Sequence, residues 1–265
     1  MIDSNQNSPK KSLGQNFLQD ENIARKIVDS LNLEHQDTVI EIGPGYGVLT
    51  KLILPEVQHY IGVELDDHLA RYLQKKFEGE PGFTLIHADF LELELSRFQS
   101  IKTPVKVAGN IPYHITSPVI FKIIEHRHHF QTMTLMVQRE VARRIVARHG
   151  TKDYGILSVL SQTFSKPKSL FNVSKHVFSP KPKVESAVVQ WNFADSLDSI
   201  IDDEKSYMRM VKVIFGQRRK ILRNSLKLFH TPLPENRLSE NLLKSRPEDL
   251  SINELVILWQ LISKQ

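Results

Sequence analysis

Thr38-Val39-Ile40-Glu41-Ile42-Gly43-Pro44-Gly45-Tyr46-Gly47 decides the fold of this 265-residue chain. Its first five residues form an apolar, β-branched run that stops abruptly at glycine, the pattern of a buried parallel strand. After Gly47 the apolar positions Val48, Leu49, Leu52 and Ile53 take helical spacing, with Pro55 as a stop. Strand, glycine turn and helix in that order open a doubly wound, Rossmann-like α/β sheet. The glycines suit a tight turn that needs positive φ and a close approach of backbone to a ligand. The helix start would offer N–H groups to a carboxylate or phosphate. A glycine turn with no ligand is the plain alternative.

Glycine spacing narrows the ligand. A dinucleotide fingerprint runs Gly-x-Gly-x-x-Gly, and here Val48 stands where its third glycine belongs, because Gly47 comes one residue early. Glu64 follows the next strand, Tyr60-Ile61-Gly62-Val63, about twenty residues on, where an acid meets ribose hydroxyls. It would serve any adenosine-bearing ligand equally. A third strand, Phe83-Thr84-Leu85-Ile86, leads to Asp89, either an acceptor for an exocyclic adenine amine or a helix N-cap. A fourth, Val105-Lys106-Val107-Ala108, leads to Asn110-Ile111-Pro112-Tyr113. Ligands of open α/β sheets gather at the carboxyl ends of strands, so these elements converge on one crevice.

Asn110-Ile111-Pro112-Tyr113 suits chemistry on an exocyclic ring amine. Such a nitrogen is a poor nucleophile because its lone pair is delocalised into the ring. The Asn110 side chain and the Ile111 carbonyl can accept hydrogen bonds from its N–H groups and favour the charge it develops. Pro112 stiffens the turn, and Tyr113 presents a face on which a splayed-out base stacks. Alignment of the reacting atoms would supply most of the rate, roughly 7–11 kcal/mol in favourable cases. An X-Pro turn with a packed tyrosine is the bland alternative.

From about Lys11 onward the chain resembles the KsgA family of small-subunit rRNA adenine dimethyltransferases. The matching segments are Lys11-Ser12-Leu13-Gly14-Gln15-Asn16-Phe17-Leu18, the glycine loop, Val63-Glu64-Leu65-Asp66 and Asn110 to Pro118. Met136-Val137-Gln138-Arg139-Glu140-Val141-Ala142, Tyr154 to Ser158 and Val177 to Val188 continue the match. The resemblance implies S-adenosylmethionine as cofactor and dimethylation of two adjacent adenines near the 3′ end of small-subunit rRNA, in ribosome biogenesis. It implies that Asn16 and Leu18 close over the cofactor and that Gly43 and Gly45 hold its methionine end. Glu64 would take its ribose and Asp89 its adenine, with Asn110 touching the cofactor as well. Asn110 and Tyr113 would form the target-base site, with Phe178 as a second aromatic wall. Ile111 stands where the family often has Leu, a mild change because the backbone carbonyl carries the role.

Composition agrees with an RNA-modifying enzyme. Hydrophobic residues make up 40% of the chain, a globular level, and no apolar run is long enough to span a bilayer. With no cysteine there are no disulfides, zinc ribbons or iron–sulfur clusters, which suits a cytoplasmic protein. Met1 to Pro9 is polar, is expected to be disordered and lacks the apolar core of a secretory signal. A net charge of +5 points mildly to nucleic acid. His126-Arg127-His128-His129 invites a zinc reading that is disfavoured, since adjacent histidines diverge and no cysteine lies near in sequence.

Charge placement says more. Lys212, Arg218, Arg219, Lys220, Arg223 and Lys227 fall within a stretch that holds no acid. Val211, Phe215, Leu222 and Leu226 recur at helical spacing, so a helix with one packed and one basic face is expected. Arg218, Arg219, Lys220 and Arg223 are its candidate phosphate contacts, against the alternative of a solvated face. Lys166-Pro167-Lys168 and Pro180-Lys181-Pro182-Lys183 rim an RNA groove or merely solvate loops. The polar stretch from Asp195 to Asp203 marks a boundary between a catalytic domain, 1–193, and a helical RNA-binding domain, 194–265. The partner is small-subunit rRNA or the assembling subunit, met by a monomer with no membrane contact. Rival readings are an antibiotic-resistance methyltransferase of large-subunit rRNA, a nicotinamide oxidoreductase and a non-catalytic assembly factor.

Overall fold

A computed structural model describes residues 14–194, 196, 200–218, 220–228 and 238–263. Arg219, Lys11 to Leu13, Met1 to Pro9 and Asp195 lie outside the described residues. The chain forms two compact units, 1–142 with 168–193, and 143–167 with 194–265.

A seven-stranded sheet organises the first unit. Its strands in chain order are β2 (Thr38–Ile42), β3 (His59–Glu64), β4 (Phe83–His87), β5 (Val105–Asn110), β6 (Thr132–Gln138), β7 (Lys166–Val173) and β9 (Ser186–Asn192); across the sheet they lie β4-β3-β2-β5-β6-β9-β7. The pairs from β4 to β6 are parallel, and β9 runs antiparallel to β6. Every residue of β2 is buried, Glu41 included, which is why apolar residues occur on both of its faces rather than alternating. After β4 the chain crosses β2 to lay down β5 on its far side, so the strand order reverses between β2 and β5. Crevices open at such a switch point. A separate two-stranded ladder pairs β1 (Phe17–Leu18) with β8 (Phe178–Ser179), Leu18 opposite Phe178.

Helices α1 (Glu21–Asp29) and α3 (Asp67–Lys76) start cleanly where the chain supplies a cap; α4 (Thr116–Glu125) has no side-chain cap, and α5 (Arg139–Ile145) follows β6 directly. Asp20 accepts from the N–H groups of Asn22 and Ile23 at 2.8 and 3.0 Å, and Asp66 does the same for His68 at 2.9 Å. The helix expected after Gly47 is much reduced. Turns run from Gly45 to Leu49, and α2 is only Thr50–Ile53 before a 3-10 turn at Leu54–Glu56. Pro55 is accommodated in that turn, where its missing N–H costs little.

The second unit is helical and is built on α6 (Ile156–Phe164), α7 (Glu204–Gly216), α8 (Leu222–Leu226), α9 (Glu240–Lys244) and α10 (Ile252–Ser263). Tyr207 of α7 is fully buried at its centre. The Tyr207 hydroxyl meets Thr163 Oγ1 at 3.0 Å, and its ring packs edge-on against Phe164 and Trp259. These contacts give α6 to the second unit. The division is therefore discontinuous in sequence, with crossings after Ala142, Pro167 and Phe193.

Between Lys212 and Lys227 the chain does not form one helix. α7 ends at Gly216, Gln217 adopts φ −119° and ψ 41°, and α8 begins only at Leu222.

Candidate active site

A cavity of about 200 Å³ opens at the switch point, lined from the carboxyl ends of β2, β3 and β5, the segment Gln15–Leu18 and the turn after β5. Gly43 and Gly45 hold φ of +64° and +62°, a region that favours glycine. Added to Gly45, a Cβ would stand 3.1 Å from the Phe17 ring, whereas Gly43 faces open space. The loop is therefore tight on one side and open to a ligand on the other.

Its amides are already spoken for. Gly43 N–H donates to Val63 O at 2.9 Å, and Gly47 N–H to Pro44 O at 2.9 Å. Gly45 N–H donates to Glu64 Oε2 at 3.0 Å, while the other Glu64 oxygen accepts from Asp66 N–H at 2.9 Å. The anion-binding helix start expected from the sequence is thus replaced by a loop tied to a carboxylate. Glu64 still has lone pairs for ribose hydroxyls, since an ionised carboxylate accepts at about four positions.

Electrostatically the cavity is negative. Glu41, Glu64 and Asp89 line it, and no Lys or Arg does. Burial pushes Glu41 up to about 7, opposed by hydrogen bonds from Tyr60 and Thr50, both 2.7 Å, and helped by the charge of Glu64. Burial also raises Glu64, against the hydrogen bonds from Asp66 and Gly45. Sequence reading passed over Glu41 as a strand residue; an acid inside an otherwise wholly apolar buried strand is the signal that could have marked it. Asp89 lines the cavity and caps a turn rather than a helix. Its Oδ1 accepts from Leu91 N–H at 2.8 Å.

Asn16, Leu18, Gly43, Gly45, Glu64, Asp89, Asn110 and Tyr113 all meet at this cavity. Asn110 Nδ2 donates to Asn16 O at 3.1 Å. The Tyr113 hydroxyl meets Ser186 Oγ at 2.7 Å, and Ser186 is fully buried. Burial raises the Tyr113 phenol above its ordinary range. Phe17 and Tyr46, edge to face at 4.6 Å, are lining aromatics that sequence reading did not nominate. Phe178 departs from expectation: it does not line the cavity. It is 5% exposed and packed in the core with Leu18, Val173 and Val188.

The basic stretch belongs to the second unit and is less free than its local sequence suggests. Arg218 pairs with Glu248 and also donates to Thr151 O at 3.1 Å. Arg223 pairs with Glu240. The acids missing from residues 212–227 arrive from further along the chain. Lys220 and Lys227 are exposed. Among the described residues no group of three or more His, Cys, Asp or Glu is placed to hold a metal ion, and no helix is long and apolar enough to cross a membrane.

Residues 6–253 match the ribosomal RNA adenine dimethylase family. "Ribosomal RNA small subunit methyltransferase A" of Chlorobium phaeobacteroides is 44% identical over 253 residues, covering 96% of this chain and 91% of that one. The protein of that name from Alkaliphilus oremlandii is 39% identical, covering 96% and 92%. Among solved structures, a dimethyladenosine transferase from Plasmodium falciparum superposes with a TM-score of 0.78 at 25% identity, covering 91% of this chain and 95% of that one. The 23S rRNA methyltransferase ErmE gives a TM-score of 0.70 at 26% identity, covering 94% and 100%.

Proposed function

The chain belongs to the ribosomal RNA adenine dimethylase family, and from that premise we propose that the cavity at the switch point is its methyl-transfer site. The protein is an S-adenosylmethionine-dependent rRNA adenine dimethyltransferase, and RNA is its partner. We take its substrate to be small-subunit rRNA, at two adjacent adenines near the 3′ end, met on the assembling subunit by a cytoplasmic monomer. Greater similarity to proteins named for the small subunit than to ErmE supports that choice over the large subunit.

One observation carries the assignment of the cavity: three carboxylates line it, no cationic side chain does, and the glycine N–H groups are consumed within the loop. A pyrophosphate would find repulsion and no free glycine N–H there. A ligand with a sulfonium and an ammonium group would find compensating charge. The residues present therefore fit S-adenosylmethionine and not a nicotinamide dinucleotide. Glu64 would hold the ribose, Asp89 the adenine, Gly43 and Gly45 the methionine end, and Asn16 and Leu18 would cover it. Bound there, the cofactor supplies an electrophilic methyl group.

The chain's own residues do the rest. A carbonyl oxygen only accepts, so the bond from Asn110 to Asn16 O fixes Nδ2 on that side and leaves Oδ1 for the target amine. Oδ1 and the Ile111 carbonyl together hold an exocyclic nitrogen with its lone pair turned out of conjugation. Tyr113, anchored by Ser186, is the stacking face. Phe178 supports this wall from behind, through its pairing with Leu18, and does not touch the base. We assign catalysis to the first unit and part of RNA binding to the second, with Lys220 and Lys227 facing phosphates while Arg218 and Arg223 hold the fold.

Labelled S-adenosylmethionine and immature small subunits, incubated with the protein and mapped by nucleotide, test the reading. Label should appear as dimethyladenosine at neighbouring positions of small-subunit rRNA. Label confined to large-subunit rRNA, or none at all, would overturn it.

A further inference from the structure

We infer that the arch from Phe178 to Ser186 grips the RNA strand flanking the target adenine, with Lys181 and Lys183 on its phosphates and Lys175 beside them. The inference rests on the methyltransferase reading above and adds the surface on which the flanking nucleotides lie.

The arch is pinned at both ends to walls of the cavity. At one end Leu18 pairs with Phe178 and Phe17 with Ser179, and Gln19 N–H donates to Val177 O at 2.8 Å. Phe17 and Leu18 are themselves cavity-lining. At the other end Ser186 holds the hydroxyl of Tyr113, the stacking residue, at 2.7 Å. Because β9 runs antiparallel to β6, its first residue, Ser186, lies opposite Gln138, at the carboxyl end of the parallel strands. The segment leading into it must project at the mouth where the base enters. Lys181 is three residues from Phe178 and Lys183 three from Ser186. Three residues span at most about 11 Å, so both lysines stay beside the opening.

Charge on this arch is one-sided. From Lys166 to Ala194 the only acid is Glu185, one of whose carboxylate oxygens accepts from the backbone N–H of Lys175 at 2.9 Å. Lys181 and Lys183 are exposed, and Lys175 is half-buried. Among the described residues no carboxylate pairs with any of the three. Lys181 instead stands 3.3 Å from both ring nitrogens of His176, a second basic group. Unpaired cations held on a backbone stiffened by Pro180 and Pro182 meet a polyanion at little conformational cost. Arg218 and Arg223, by contrast, already have carboxylate partners.

The test is RNA affinity against salt for the full chain and for a Lys175→Ala, Lys181→Ala, Lys183→Ala variant. Each single-strand phosphate contact adds about 0.7 to the slope of log affinity on log salt, so the variant should be shallower by about two. S-adenosylmethionine should still raise its melting temperature, which confirms the fold, and the corresponding triple Lys→Arg variant should regain the slope. A triple alanine variant with the wild-type slope, in a preparation whose wild type binds and methylates rRNA, overturns this inference alone. So does weakened binding to the assembling subunit with unchanged binding to a naked rRNA fragment, since the arch would then dock a protein. A wild-type chain that binds no RNA sinks the methyltransferase reading and this inference with it.

Discussion

The side-chain amide of Asn110 donates to the backbone carbonyl of Asn16 across 3.1 Å, tying the turn after β5 to the segment that covers the cavity. Asn110→Asp should therefore be as damaging as Asn110→Ala, although it keeps an acceptor. A carboxylate would face the Asn16 carbonyl without a proton to share, and so would lose its aim. Removing one aimed polar group from a reacting centre costs about 10²–10³ in kcat, and both variants should fall in that range in single-turnover assays. An aspartate variant close to wild type would show that the link to Asn16 does not position the acceptor.

Glu41 makes stability depend on pH. Folding raises its pKa from 4.5 to about 7, so the native state holds an extra proton between those values. The associated stability is fully present below 4.5 and is lost as pH rises through 7. At 1.36 kcal/mol per unit the full shift amounts to roughly 3 kcal/mol. Glu41→Gln removes the titration, keeps an acceptor for Tyr60 and Thr50, and isolates Glu41 from Glu64, which is shifted the same way. Between pH 5 and 8, thermal unfolding should increasingly favour the glutamine variant. S-adenosylmethionine, a cation near Glu41, should bind wild type more tightly as pH rises over that window, with proton release by calorimetry. Parallel stability curves for the two proteins would show that Glu41 is already ionised at pH 5.

Much of the first unit was legible because its strands are short apolar runs stopped by glycine or by a polar turn. β2, β4 and β5 begin at the residues expected, and Glu64, Asp89 and Asn110 converge as residues at or just past the carboxyl ends of strands must. What escaped notice depends on long-range pairing. Nothing near Phe178 reveals that Leu18 will pair with it and that it will pack in the core. Nothing between Lys212 and Lys227 reveals that Glu240 and Glu248 will return to neutralise two arginines. The same holds for α6, which joins the C-terminal helices through a contact between Thr163 and Tyr207, 44 residues apart in sequence.

Phe178→Ala should behave as a core deletion rather than as the loss of a stacking face. The ring is 5% exposed and packs with Leu18, Val173 and Val188, and truncations of this kind cost about 3–5 kcal/mol. Unfolding in denaturant should show that loss, with weaker cofactor binding as Leu18 follows. Phe178→Leu should recover most of the stability and most of the activity. Tyr113→Leu should instead keep stability within about 1–2 kcal/mol and lose RNA methylation. If Phe178→Leu is as inactive as Tyr113→Leu while remaining stable, Phe178 acts on the base directly.

Arg218 and Arg223 should matter to the second unit more than to RNA. Arg218 is about a third exposed and bonds both Glu248 and the Thr151 carbonyl. A partly exposed pair of this kind contributes about 1 kcal/mol at most, so Arg218→Ala should lower the melting temperature by about 2–4 °C. Arg223 holds Glu240, whose carboxyl it keeps below the ordinary range. Since both cations are already compensated, their alanine variants should leave the salt slope of RNA binding at the wild-type value. Lys220→Ala should make it shallower by about 0.7. A slope that falls with the arginines and not with Lys220 would mean that RNA displaces Glu240 and Glu248 on binding, and that these pairs are broken in the complex.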